Sequence, residues 1–241
     1  MSPDGSGMSL PTPLAKIPYP FAAVLFDMDG VIVDNTALHH QIWEEFLRRH
    51  GFEPTAADLR ATDGRHAEEI IARYFPPDRV SPAQAAQLIE ERETLYGERL
   101  VRGPVRAVAG VEAFLRGLKR LRVPCVLATS AHPLNVERVL GKLGLRESFL
   151  AWVTADDVTH GKPAPEVYLK AAARAGAAPR RCLVIEDALP GVQAAKAAGA
   201  ACLGLTTSVS AAALAENGAD WTASDFNGLP DPIRLKLADV G

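Results

Sequence analysis

The stretch Ala22-Ala23-Val24-Leu25-Phe26-Asp27-Met28-Asp29-Gly30 decides how the rest of the chain is read. Its apolar run is too short for a helix and ends in turn chemistry, which predicts a central strand of a parallel sheet. In open α/β sheets, ligands bind beyond the carboxyl ends of the strands, where Asp27 and Asp29 would lie. Residues two apart on an extended segment point to the same side. Taken alone, the pair also reads as an Asx turn or as the opening of a calcium loop. An EF-hand would need a glutamate at its twelfth position, where Leu38 stands, and a helix rather than a strand before it.

Downstream, Ile42, Trp43, Phe46 and Leu47 give one apolar face to a helix from about Thr36 to Arg49, which Gly51 ends. From there to about Arg102 the pattern is helical, broken by Pro and Gly. One amphipathic stretch carries Ile70, Ile71 and Tyr74; another opens at Ser81-Pro82, a cap followed by proline at the first helical position. From Gly110 onward helices and strands alternate strictly. Strands are expected at Pro124 to Ala128, Trp152 to Thr154, Cys182 to Ile185 and Ala201 to Leu205. The predicted architecture is α/β: a doubly wound parallel-sheet core, 21–36 and 105–241, with a small helical cap inserted at 37–104. Residues 1–20 are rich in Gly, Pro and Ser and are expected to form a flexible tail without signal-peptide character; Met8 leaves the natural start open.

The 241 residues suffice for one α/β domain and a modest second module. A net charge of -3 gives no reason to expect a nucleic-acid or anionic-membrane partner. No apolar stretch reaches membrane-spanning length. Cys125, Cys182 and Cys202 fall in or beside strand-like runs without a CxxC pair, which predicts buried reduced thiols and a cytoplasmic protein. The oligomeric state is open, and a monomer is compatible with the sequence.

Polar residues follow the strands. Asp27 follows the first, Thr129-Ser130 the second, and Glu186-Asp187 follow Ile185. One sheet edge would then gather two carboxylate pairs and a hydroxyl. Carboxylates crowded this way repel unless a cation neutralises them. An oxygen-only donor set, without His or Cys, points to Mg²⁺ over zinc. A hard cation with Thr and Lys nearby suits phosphoryl transfer.

Asp27-Met28-Asp29-Gly30, Thr129, Lys162 before Pro163, and Glu186-Asp187 together resemble the motifs of the haloacid-dehalogenase (HAD) superfamily. The likeness runs from Phe21 onward and includes Gly161-Lys162-Pro163-Ala164-Pro165. The helical insert resembles the small cap of the branch that holds β-phosphoglucomutase and many sugar-phosphate phosphatases. The resemblance implies that Asp27 is the nucleophile that forms an aspartyl-phosphate. Asp29 would be the general acid and then the base. Thr129 and Lys162 would neutralise phosphoryl oxygens. Mg²⁺ would be held by Asp27, the Asp29 backbone carbonyl, Glu186 and Asp187.

In the cap, Asp63-Gly64-Arg65-His66 resembles the family's specificity loop. Gly64, Arg65, His66, Arg92 and Ser130 are candidates to meet the substrate, and His39 matches a histidine that assists the general acid in the mutase. Asp29 argues against haloalkanoate chemistry, because dehalogenases of that branch lack the second aspartate. The segment 36–104 contains no lysine, which removes the Schiff-base phosphonate hydrolases. Ala67 and Arg92 stand where the mutase has the arginine and lysine that grip a second phosphate. The expected function is an Mg²⁺-dependent phosphatase of a small phosphorylated metabolite, a sugar or polyol phosphate. A mutase and a non-catalytic binder of the same fold are the alternatives.

Overall fold

A computed structural model describes residues 20–234. The tail expected at 1–20 lies outside the described residues apart from Pro20, as does the end of the core segment beyond 234. The described residues form a parallel sheet of β1 (Ala23–Phe26), β2 (Cys125–Ala128), β3 (Ala151–Val153), β4 (Cys182–Glu186), β5 (Ala201–Leu205) and β6 (Trp221–Ala223). The strand order is β3-β2-β1-β4-β5-β6. β1 is therefore central, paired with β2 on one side and β4 on the other. This is the doubly wound arrangement, with its reversal of order at β1, where a ligand crevice is expected.

Helices cover both faces: α5 (Val111–Arg120), α6 (Pro133–Leu143), α7 (Glu166–Arg174), α8 (Leu189–Ala197) and α9 (Ala211–Glu216). Alternate residues of β1 feed the two sides. Val24 and Phe26 join one buried cluster, Ala23 and Leu25 the other. Phe26 carries no exposed surface and meets Phe114 and Phe149 edge-on, with centroids at 6.2 and 5.8 Å, and stacks on Phe226 at 6.4 Å.

Between β1 and β2 the chain makes α1 (Thr36–Arg49), α2 (Ala56–Arg60), α3 (Ala67–Tyr74) and α4 (Pro82–Arg102). These helices have a core of their own, centred on Trp43, Phe46, Leu47, Leu59, Ile70 and Ile71. Ser81 caps α4 in a capping box with Gln84, and Pro82 opens its first turn. Asn35 precedes α1 without capping it: its Nδ2 donates to Asp29 and Tyr96, and its Oδ1 meets no donor.

Three elements were not anticipated: α2 has five residues, α9 six and β6 three, too short for a periodic signal. β3 sits one residue earlier than expected. Thr154 leaves the ladder because its N–H and hydroxyl both bond Asp157 Oδ2, at 2.8 and 3.1 Å, which starts a turn. All three cysteines are free and buried. Burial pushes the Cys182 thiol up to about 11 and the Cys125 thiol to about 12, so neither ionises near neutrality. No helix among the described residues is long and apolar enough to cross a membrane.

Because Phe26 fixes the strand that carries the candidate site, Phe26→Ala is expected to cost about 3–5 kcal/mol. Equilibrium urea unfolding followed by circular dichroism measures this; a loss under about 1 kcal/mol would contradict the packing account.

Candidate active site

Asp27 is the first residue past β1 and continues its ladder by donating its N–H to the Ile185 carbonyl at 3.0 Å. Glu186 ends β4, and Asp187 follows it. Parallel pairing of β1 with β4 thus sets the two acidic segments side by side. Asp27, Glu186 and Asp187 each offer an oxygen within 4.8 Å of the others, and all three are buried.

Lys162 enters this cluster from the loop before α7. It is 0% exposed, and its Nζ donates to Asp27 Oδ1 at 2.7 Å and to Glu186 Oε1 at 2.6 Å. Burial works against its charge, but the two carboxylates outweigh that cost and push its pKa up. The Tyr168 hydroxyl donates to the same Glu186 oxygen. Glu186 Oε2 accepts the N–H groups of Asp187 at 3.1 Å and Ala188 at 3.4 Å. Protein donors therefore occupy both oxygens of Glu186, which anchors Lys162 and has little capacity left for a metal.

One ammonium does not neutralise this cluster. Burial raises the Asp27 carboxyl to about 7, with the charges of Glu186 and Asp29 adding and Lys162 opposing. Asp187 lies well above the carboxylate range, first through burial and then through the charges of Glu186 and Asp27. Such oxygen-only carboxylates, costly to keep ionised without help, fit a hard divalent cation. Gly30 belongs to the same geometry. It has φ +72°, and a Cβ there would overlap the Asp187 carboxylate.

Asp29 has different surroundings. Asn35 Nδ2 donates to its Oδ1 at 2.5 Å and to the Tyr96 hydroxyl at 2.6 Å. Arg92 Nη2 donates to His39 Nδ1 at 2.9 Å, which leaves the imidazole proton on Nε2. That nitrogen faces Asp29 Oδ1 at 3.1 Å, with its N–H out of line. Burial pushes the Asp29 carboxyl up, but His39, the Asn35 hydrogen bond and the Arg92 charge together hold it below its ordinary value.

Asp27, Asp29, Asp187 and Thr129 line one cavity of about 70 Å³, together with His39, Gly64, Arg65, Arg92 and Ser130. Thr129 is buried and its hydroxyl also accepts the Ala131 N–H at 3.1 Å, so the same side chain fixes the loop after β2. Ser130 donates to the Gly64 carbonyl at 3.1 Å, tying that loop to the cap. Arg65 pairs with Glu69 at 3.2 Å. Arg92 pairs with Glu93 at 2.7 Å and lies over the rings of Trp43 and Tyr96. His66, expected near a substrate, is not among the residues lining this cavity. It is buried against Gly161, where a Cβ would overlap its ring, and its Nε2 meets no hydrogen-bond partner.

Several wall residues were missed by the sequence reading. Ser208 donates to Asp187 Oδ2, and Thr207 donates to the Gly30 carbonyl at 2.7 Å. They follow β5 just as Thr129 follows β2, so the rule of polar residues after strand ends would have found them. Asp63 was legible only as part of the cap loop Asp63-Gly64-Arg65-His66, and Asn35 and Tyr96 carry no such signal; the fold brings Tyr96 and Asp63 to the cavity and Asn35 to Asp29.

A model of the haloacid dehalogenase-like hydrolase family matches residues 21–199. The chain belongs to this family. This HAD hydrolase is 35% identical over 199 residues to validoxylamine A 7'-phosphate phosphatase of Streptomyces hygroscopicus subsp. limoneus, covering 81% of this chain and 91% of the relative. It is 33% identical over 179 residues to fructose-1-phosphate phosphatase YqaB of Escherichia coli (strain K12), covering 74% and 93%. Its fold superposes on a family IA, variant 3 HAD hydrolase from Entamoeba histolytica with a TM-score of 0.78 at 29% identity, covering 87% and 95% of the two chains.

If the carboxylate cluster takes up a divalent cation, Mg²⁺ at 100 times its dissociation constant should stabilise the fold by about 2.7 kcal/mol. A thermal melt of the chelator-treated HAD hydrolase with and without Mg²⁺ would show a midpoint raised by roughly 5–10 °C. Asp187→Asn should abolish the shift. An equal shift in that variant would place the cation elsewhere.

Proposed function

We propose that this HAD hydrolase is an Mg²⁺-dependent phosphatase of a small phosphorylated metabolite, a sugar or polyol phosphate, acting through a phosphoryl group carried on Asp27. The observation that carries the reading is the unequal setting of two aspartates on one cavity. Asp27 lies with Lys162 and the carboxylate cluster, and Asp29 lies with Asn35 and His39. Two carboxyl groups in different environments suit two different roles. The named substrates of the phosphatase relatives, validoxylamine A 7'-phosphate and fructose 1-phosphate, support the ester class.

Asp27 and Asp187 would hold Mg²⁺, with the Asp29 backbone carbonyl, while Glu186 keeps Lys162 in place. Bound there, Mg²⁺ supplies positive charge that offsets carboxylate and phosphoryl oxygens. An Asp27 carboxylate oxygen attacks phosphorus as the ester oxygen departs. Lys162 and Thr129 stabilise the charge on the transferring group. Asp29 protonates the departing oxygen, then removes a proton from the water that cleaves the phosphoryl-aspartate bond. Its lowered pKa suits the second, basic half. For the first half, an incoming phosphate beside it raises the carboxyl, as any nearby negative charge does.

A mutase must grip a second phosphate, and the cap offers little to do so. Ala67 has no charge, Arg92 is engaged by Glu93 and His39, and Arg65 is paired with Glu69.

The test is phosphate release from a panel of phosphate monoesters with Mg²⁺. Asp27→Asn should release none while keeping its circular dichroism. Asp29→Ala should fall by about 10²–10⁴-fold. Release by Asp27→Asn at the wild-type rate would remove Asp27 as the nucleophile. Conversion of a sugar 1-phosphate to its 6-phosphate with little free phosphate would establish the mutase instead.

A further inference from the structure

The cap wall of the cavity contains a carboxylate that the reaction does not use. Asp63 lines the cavity, and its Oδ1 accepts from His40 Nε2 at 2.7 Å. Its Oδ2 is buried and meets no donor of the protein. Arg92, also on the wall, has a buried Nε with no acceptor. The rest of that guanidinium is fixed by Glu93, His39 and the rings of Trp43 and Tyr96.

We propose that Asp63, held in place by His40, selects the leaving group of the ester by accepting a hydrogen bond from one of its hydroxyls. The proposal rests on the phosphatase reading and deepens it. A buried acceptor without a donor is costly, so a ligand that supplies one is favoured over one that does not. A hydroxyl can both donate to Asp63 and accept from Arg92. An alkyl chain does neither. A carboxylate or a second phosphate can only accept, and it meets the charge of Asp63 as repulsion. The favoured substrates are therefore hydroxylated monophosphates that carry no second anionic group.

Three esters of matched length separate these cases: a hexitol 6-phosphate, hexyl phosphate and 6-phosphogluconate. In the wild type with Mg²⁺, kcat/KM should favour the hexitol ester over each of the others by at least about 10-fold. Asp63→Ala should reduce the hexitol-to-hexyl ratio by about that factor. The isosteric Asp63→Asn, which keeps the fold if the smaller side chain does not, should reduce the hexitol-to-phosphogluconate ratio by removing the charge. Ratios within about two-fold of wild type in both variants would overturn the proposal, as would an equal loss on all three esters or a wild-type preference for hexyl phosphate or 6-phosphogluconate. If the wild type releases phosphate from none of the three, that result counts against the phosphatase reading. Selection is then read by calorimetric titration of the same esters. A hexitol preference that disappears in Asp63→Ala supports Asp63 as the selector, and absence of any preference refutes it.

Discussion

Lys162 Nζ, wholly shielded from water, bridges Asp27 and Glu186, and the site is built around this contact. An ammonium in that position needs its carboxylates, since breaking a buried pair typically costs about 3–5 kcal/mol. The reverse does not hold. With Asp187 beside them, the carboxylates exceed the charge that Lys162 can supply, and Asp27 and Asp187 are pushed upward. The protein relieves part of the strain with neutral donors: Tyr168 and two backbone N–H groups on Glu186, and Ser208 on Asp187. What remains is a deficit of positive charge at the end of the central strand. A divalent cation would fill that deficit, and the proposed phosphoryl chemistry uses it.

The core and its half of the site were legible in the sequence because both depend on local patterns. β1 announces itself by an apolar run that stops at Asp27, and β4 by one that stops at Glu186. Parallel pairing then brings them together without further information. Lys162 was legible through the Gly-Lys-Pro context, although its bridging of two carboxylates was not. The metal set shifted in emphasis for the same reason: Glu186 reads as one more acid in sequence, whereas its oxygens in the fold are already taken by Lys162, Tyr168 and backbone.

The cap was legible as helices but not as a surface. Its helices follow from apolar spacing and capping residues such as Ser81, whose signals lie within a few positions. Which side chains reach the cavity depends on how α1 and α4 pack, a long-range matter. Hence Tyr96, far along the chain from Asn35, arrives beside it to orient the amide that holds Asp29. Hence also His66, polar and in a suggestive loop, turns away to pack on Gly161 while Asp63 lines the cavity. A loop motif locates the segment; the packing of the cap decides which of its residues line the cavity.

The central claim is that Asp27 carries the phosphoryl group between ester and water. It is tested most directly by acid-quenching the Asp29→Ala variant during turnover of a phosphate monoester and mapping its peptides by mass spectrometry. Slowed release from the enzyme should leave a phosphoryl increment on the peptide containing Asp27, and no increment in the Asp27→Asn, Asp29→Ala double variant. A phosphoryl group found on any other residue, or turnover with none on Asp27 at any quench time, would contradict the account.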